Sequence, residues 1–314
     1  MEGGLGGMKQ PDLCVLYGGV GGERAVSLAS GKAVIAALEQ SHAVHAYDIQ
    51  RAEVPAFIDP SRMIVLPVLH GQFGENGVLQ DALDDAEVVY AGCAGEASAQ
   101  CMDKVQTKQV ASRSNLVVAE SVVFDGSLHP SWFELVSLLG DSFVIKPADA
   151  GSSVGLHFVD DESGLLTAIE DIQSGKWMAE SRVRGYEVSV GVLDGKALGV
   201  VGIRPQGGAY DYKHKYTPGY SEYDVPACLV EKVREEVSQA AETIFEACGC
   251  RDFARVDFII NGRSEPVLLE VNTLPGLTPT SLLPKSASCE GIDFNDLLDR
   301  MLAGAVERWK QRYG

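Results

Sequence analysis

The stretch best equipped for chemistry is ARVDFIINGRSEPVLLEVN, residues 254–272, two apolar runs joined by a short loop containing Asn261-Gly262. A hairpin symmetric about that loop sets Asp257 opposite Glu270, with 258 facing 269 and 260 facing 267. Asn272, two residues beyond Glu270, returns to the same face, with Arg255 across from it. Opposed like charges destabilise a strand pair, so a cation belongs between them. Two carboxylates and an amide oxygen are hard donors that suit Mg²⁺ or Mn²⁺, with phosphates and water completing the shell. The alternative is a solvated face whose charges are answered by Arg255.

Phosphate chemistry is suggested by FVIKPADAGSSVG, residues 143–155. Lys146 ends an apolar run, and Gly151, Ser152, Ser153 and Gly155 follow in a loop that can turn N–H groups and hydroxyls toward phosphate oxygens. The spacing is not that of a P-loop, and a plain turn is the alternative. Lys104 in MDKVQTK offers a second cation or a solvated helical lysine. Glu180 and Glu187 in WMAESRVRGYE are placed either for adenine and ribose or as surface carboxylates.

These residues need a framework, and periodicity supplies an α/β one. DLCVLY, AVHAYDI, MIVLPVL and VVYAG read as strands, with helices over 24–38 and 77–87. Helical spacing runs from Ala99 to Val110, then LVVAESVVF as a strand, a helix near 130–139, the strands FVIKP and GLHFV, a helix near 164–173, and the strand WMAESR. YEVSVGVLDGKALGVVGI is a hairpin about Asp194-Gly195. Residues 206–227 form a long tyrosine-rich loop, a feature uncommon unless functional. The face Val230, Val233, Val237, Ala241, Ile244 marks a long helix. A last amphipathic helix covers 293–312. The expected division is a flexible extension at 1–10 with Met8 an alternative start, an α/β domain at 11–103, a central lobe at 104–186 and a C-terminal lobe at 187–314.

Composition narrows the partners. With 46% hydrophobic and 22% charged residues the chain is expected to be globular. A formal charge of -18 without a basic run disfavours nucleic acid. No apolar run approaches the roughly 18 residues of a membrane span, and the first ten residues lack a signal core, so a cytoplasmic protein without membrane contact is expected. The seven cysteines are an odd set without metal-ligand spacing, read as reduced thiols; Cys248-Gly249-Cys250 alone is a weak signal.

Taken in order, YGGVGGERAVSLASG, LHGQFGENGVLQ, MDKVQTK, KPADAGSSVG, YKHKY, RVDF, LLEVNTLPGLT and SLLP resemble the D-alanine:D-alanine ligase family of the ATP-grasp superfamily. The resemblance implies a three-lobed ATP-grasp fold with a parallel-sheet N-terminal domain and ATP held between the other two lobes. It implies ATP-driven joining of two D-alanines through a D-alanyl phosphate and a tetrahedral intermediate, for peptidoglycan. Lys104, Lys146, Ser152, Ser153, Glu180, Val183, Glu187 and Lys215 would hold ATP, and Asp257, Glu270 and Asn272 two Mg²⁺ or Mn²⁺ ions. Glu23 would take the first substrate's ammonium, with Val26 and His70 nearby, and join Ser152 and Tyr216 in a trio pinning the long loop. Arg255 and the N–H of Gly276 would stabilise the oxyanion, while Ser281 and Leu282 grip the second substrate's carboxylate. A homodimer is expected from the family. Ala150 and Ser181 depart from its pattern, and the first loop is unusually Gly-rich.

A rival reading takes Gly18-Gly19-Val20-Gly21-Gly22 and Asp48 as a dinucleotide site, but the final Gly of the fingerprint is missing and Glu23 would repel a pyrophosphate. A non-catalytic ATP-binding protein is disfavoured by the complete set of Lys104, Lys146, Arg255, Asp257, Glu270 and Asn272. Tyr216 favours an amine over D-lactate as second substrate, with D-serine open. Product analysis of Tyr216→Phe with competing D-alanine, D-serine and D-lactate is expected to reveal an altered preference; an unchanged product ratio would remove the tyrosine from that role.

Overall fold

The structure is a computed structural model describing residues 10–151, 155–172, 174–205 and 221–314. Ser152, Ser153, Lys215, Tyr216 and the residues expected to form the N-terminal extension, apart from Gln10, lie outside the described residues.

The first sheet has strand order β2-β1-β3-β4 and is parallel throughout. Its strands are β1 (Asp12–Gly18), β2 (Val44–Ile49), β3 (Met63–Val68) and β4 (Val89–Tyr90). β1 alternates between two cores. Leu13 and Val15 pack with α1 (Arg24–Leu38) and the terminal helix α9 (Phe294–Tyr313), whereas Cys14 and Leu16 pack with α2 (Val78–Asp85). Cover on both faces explains why this strand reads as one apolar run.

The second sheet has order β6-β9-β7-β8: β6 (Ser121–Asp125), β7 (Phe143–Pro147), β8 (His157–Val159) and β9 (Lys176–Ser181). Phe143, Ile145, Trp177 and Ala179 turn into a core with Leu135 and Leu139 of α5 (Trp132–Leu139) and Leu165 of α6 (Glu162–Asp171). The period of two sends Val144, Lys146 and Glu180 to the opposite face.

The third sheet has order β12-β11-β10-β13-β14-β5: β5 (Val117–Val118), β10 (Gly185–Leu193), β11 (Lys196–Pro205), β12 (Ser221–Asp224), β13 (Phe253–Asn261) and β14 (Pro266–Asn272). Val188, Val190 and Val192 face the long helix α7 (Glu231–Ala247) through Val237, Ala241 and Ile244. The β10–β11 turn has φ 49° at Asp194 and 73° at Gly195, the left-handed pair that a two-residue hairpin demands.

Several expectations need correction. The run LVVAESVVF is divided: β5 pairs with β14, and β6 with β9 in another sheet. The helical spacing from Ala99 to Val110 is two helices, α3 (Gly95–Met102) and α4 (Lys104–Arg113). Asp103 breaks them apart because its carboxylate accepts the N–H groups of Val105 and Gln106, starting a new helix. The end of the stretch expected as a loop over 206–227 contains β12, paired with β11. The last helix runs one residue past the expected end, to Tyr313.

The first and third sheets meet at Asp252. Arg308 binds both its oxygens at 2.8 and 2.6 Å and the carbonyl of Tyr90 at 2.8 Å, and the N–H of Gly92 donates to the same carboxylate at 2.8 Å. The next residue, Trp309, is fully buried and donates its indole N–H to Pro60 O at 2.9 Å. Trp309→Ala is expected to lower the unfolding free energy by about 3–5 kcal/mol, read from urea denaturation; a loss below about 1 kcal/mol would mean that the helix is not anchored there.

Candidate functional site

A cleft of about 360 Å³ opens between the second and third sheets, within the range of small-molecule sites. One wall carries Val144, Lys146 and Glu180, and the other Glu187, Asp257, Ile259, Leu269 and Glu270; Lys104 and Val183 also line it. The seven of these expected at a nucleotide site or beside its metal, Lys104, Lys146, Glu180, Val183, Glu187, Asp257 and Glu270, therefore share one space.

Strand register explains the second wall. Glu187 pairs with Ile259, Ser189 with Asp257 and Gly191 with Arg255, while Asp257 opposes Glu270 and Arg255 opposes Asn272. The carboxylate pairing is as the sequence predicts. The rest of the hairpin is not: Phe258 pairs with Leu268 rather than 269, and Ile260 with Pro266 rather than 267, because a bulge intervenes. On a regular strand Leu269 and Glu270 would face opposite ways; the extra residue lets both line the cleft. Sequence symmetry has no signal for a bulge, so Leu269 was not anticipated.

Asp257 is 4% exposed and well supplied with partners. Arg255 donates from Nε at 3.0 Å and Nη2 at 2.8 Å, Ser189 Oγ at 2.6 Å and Asn272 Nδ2 at 3.2 Å. Both readings of this face thus have a physical basis: Arg255 answers the charge, and the oxygen donors remain side by side. Among the described residues no three His, Cys, Asp or Glu side chains form a metal cage, so a metal here would take two carboxylates and the Asn272 amide. That hard-oxygen set, opposite a lysine-bearing wall, fits a divalent ion that keeps phosphate and water ligands.

On the first wall, Glu180 is 5% exposed and held between two ammonium groups, Lys146 on Oε1 and Lys108 on Oε2, the latter at 2.6 Å. Burial alone would raise its carboxyl, but the two lysines override it and hold it down at about 2. Lys108 is itself pushed below its ordinary value, chiefly by burial, and donates to Ala119 O at 2.9 Å. Sequence reading chose Lys104 from the motif and passed over Lys108, although it recurs one helical turn on. Lys104 donates from Nζ to Ala150 O at 2.5 Å. Ser181, one of the departures from the family pattern, turns its hydroxyl to Leu139 O at 2.9 Å.

A second cluster gathers the first-loop residues. The Glu23 carboxylate fills the open side of Gly71, where a Cβ would come within 2.6 Å of Oε2, and it also approaches Gly151. His70 is buried, its Nδ1 3.4 Å from Glu75 Oε1 and its Nε2 3.4 Å from Ser30 Oγ. Ser30 in turn accepts the N–H of Leu277 at 3.4 Å, which ties α1 to the segment holding Gly276. Glu75 and Ser30 were not singled out from sequence. Val26 sits half-buried in the first turn of α1. The Gly-rich loop has firm definition after all: Arg24 binds Asp48 through two 2.7 Å contacts and the carbonyls of Gly19 and Ile49 at 3.0 Å. That pairing also occupies the carboxylate a dinucleotide would need for its ribose.

Ser281 precedes α8 (Leu282–Ser288) and is engaged locally, accepting the N–H of Thr278 at 3.1 Å with the two hydroxyls 2.8 Å apart. The Leu282 side chain buries with Val201 and Ile203, so any polar contact it makes comes from its main chain. Nearby Lys285, pushed below its ordinary value by burial, lies 4.8 Å over the Tyr223 ring. The structure thus divides those expected residues that it describes into a cleft, a cluster around Glu23 and His70, and a segment running from Gly276 to Leu282.

Comparison with known proteins matches this framework. The family model described as D-ala D-ala ligase C-terminus covers residues 127–303. A D-alanine--D-alanine ligase from Anaeromyxobacter dehalogenans is 43% identical over 298 residues, spanning 94% of this chain and 96% of the relative. The chain belongs to the D-alanine–D-alanine ligase family. A family member from Syntrophotalea carbinolica is 38% identical, spanning 96% of this chain and 98% of its own. The ATP-complexed D-alanine--D-alanine ligase of Bacillus anthracis superposes with a TM-score of 0.82 at 28% identity, covering 97% of this chain and 100% of that one. VanG D-Ala:D-Ser ligase from Enterococcus faecalis gives 0.80 at 27%, with 95% and 100% covered. The fold is the family's ATP-grasp fold, as the resemblance implied.

The Glu180 arrangement has a pH consequence. Its carboxyl ionises more readily folded than unfolded, so the stabilisation is complete above the ordinary value of 4.5 and is lost as pH falls toward about 2. Glu180→Gln is expected to be less stable than the wild type at pH 7, with the gap narrowing across that acid window in pH-dependent denaturation. A gap constant from pH 7 to 2 would rule out the charge as its source.

Proposed function

We propose that the protein is an ATP-dependent ligase joining two D-alanine molecules into D-alanyl-D-alanine for peptidoglycan. The observation that carries the reading is the single cleft in which the cations Lys104 and Lys146 face the opposed carboxylates Asp257 and Glu270. A carboxylate is a poor electrophile until one oxygen becomes a phosphate leaving group, and moving a phosphoryl group requires dense positive charge around it.

In this reading Lys104, Lys146 and Lys215 draw charge from the phosphates, and Glu180 keeps Lys146 in place. Val183 and Glu187 meet the nucleoside while Ile259 and Leu269 supply an apolar floor. Asp257, Glu270 and Asn272 hold Mg²⁺ or Mn²⁺, two ions by family resemblance, which supplies Lewis-acid neutralisation of phosphate charge when bound. Glu23, with Val26 and His70, orients the ammonium of the first D-alanine. Ser281 and the main chain of Leu282 take the second carboxylate. Its amine then attacks the activated carbonyl, and Arg255 with the N–H of Gly276 faces the oxyanion. Ser152, Ser153 and Tyr216 join Glu23 in closing the site against water. The reading carries three lobes divided near 104 and 187, a cytoplasmic location where ATP is supplied, and a homodimer.

The test is ADP release with Mg²⁺-ATP and D-alanine alone, products identified by mass. Release with formation of the dipeptide supports the reading. Release only after D-serine or D-lactate is added would keep the activation chemistry and move the enzyme to a mixed product. No release with any D-amino acid would overturn it. Glu270→Gln is expected to lower ADP release by roughly 10²-fold or more with the fold retained by circular dichroism; wild-type turnover at ordinary Mg²⁺ would remove Glu270 from the metal set.

A further inference from the structure

Four of the seven cysteines meet where α3 packs against the end of α7 and the start of β13, and none of them lines the cleft. Cys93, Cys101 and Cys248 are buried and Cys250 is partly exposed. Cys101 Sγ and Cys250 Sγ are 3.8 Å apart. Cys93 is committed elsewhere, its thiol donating to the carbonyls of Arg251 at 3.7 Å and Phe253 at 3.8 Å. Among the described residues no three such side chains are arranged to hold a metal ion, so the cluster is not a zinc or iron cage.

The geometry points to a peroxide-sensitive modification site in which Cys101 and Cys250 join as a disulfide that loosens the nucleotide cleft. Cys250 is the attacking partner. It is the more accessible of the two, and the hydrogen bond from Cys101 stabilises its thiolate, drawing its thiol below the ordinary value while that of Cys101 is raised. The thiolate attacks hydrogen peroxide, forming an S–O bond as the O–O bond breaks, and the departing hydroxide takes up the proton that the Cys250 thiol gave up and leaves as water. Cys101 sulfur then displaces the hydroxyl from the sulfenic acid, its proton leaving with the oxygen as water. The two sulfurs lose two electrons, and the peroxide is reduced to two waters.

The coupling to the cleft follows from position. A disulfide holds its sulfurs about 2.05 Å apart, so closure moves the pair together by roughly 1.8 Å. Cys101 lies in the last turn of α3, and its neighbours Asp103 and Lys104 open α4. Thr107 Oγ1 bonds the carbonyls of both Gln100 and Asp103, making the end of α3 and the start of α4 one unit. Movement of Cys101 therefore displaces Lys104, a lining residue of the cleft. This part rests on the ATP reading above; the disulfide does not.

The test uses the full chain in a Cys228→Ser background, which removes the exposed thiol and its intermolecular disulfides. After stoichiometric hydrogen peroxide and alkylation, peptide mapping is expected to link the Cys101 and Cys250 peptides, with loss of two thiols restored by dithiothreitol. Cys250→Ser is expected to abolish the link. Binding of a non-hydrolysable ATP analogue with Mg²⁺ should become about tenfold weaker, the equivalent of one charge-assisted hydrogen bond, and recover on reduction. A different cysteine pair, or oxidation of single cysteines only, overturns the site. The link with unchanged analogue affinity overturns its coupling to the cleft. A reduced protein that binds no analogue defeats the ATP reading and the coupling with it, while the mapping still decides the disulfide.

Discussion

A carboxylate removed from water must find partners, and Asp257 draws its own from three adjacent strands. Arg255 shares its strand, Ser189 reaches across from β10, and Asn272 reaches across from β14. Each contact demands the register actually observed, because a slip of one residue would turn the polar side chains into the core under α7. The polar face and the valine face of this sheet are thus two results of one alignment.

The opposite wall solves the same problem with lysines. Glu180 is buried between Lys108 and Lys146, an arrangement in which breaking one pair costs more than the pair contributes. Its value to the site is positional. Among the described residues Lys146 pairs with Glu180 and is held in a defined place at the cleft, with Val144 and Glu180 projecting from the same face of the second sheet.

The bulge at Leu269 and the break at Asp103 show how small backbone events arrange a site. The first places an apolar and an acidic residue side by side on the same cleft wall. The second begins a fresh helix at Lys104, so that this lysine lies in a first turn rather than in the interior of a long helix. Both are departures from simple periodicity, and both occur at cleft residues, where local rules tend to yield to function.

By itself the sequence determined the α/β character, most elements, the facing of Asp257 and Glu270, and the family, since all of these are carried by local periodicity or by motifs in order. The apolar run of β1, the alternation in β10, the Asp194-Gly195 turn and the face of α7 could each be read without knowing their neighbours. Only the tertiary structure decided that LVVAESVVF serves two sheets, that Leu269 shares a wall with Glu270, that Arg24 orders the Gly-rich loop, and that Lys108 completes the Glu180 pairing. It alone brought Cys93, Cys101, Cys248 and Cys250 together. The reason is common to all: a register shift, a cross-sheet ion pair or a thiol cluster depends on residues distant in the chain, and spacing along one segment carries no record of what packs against it.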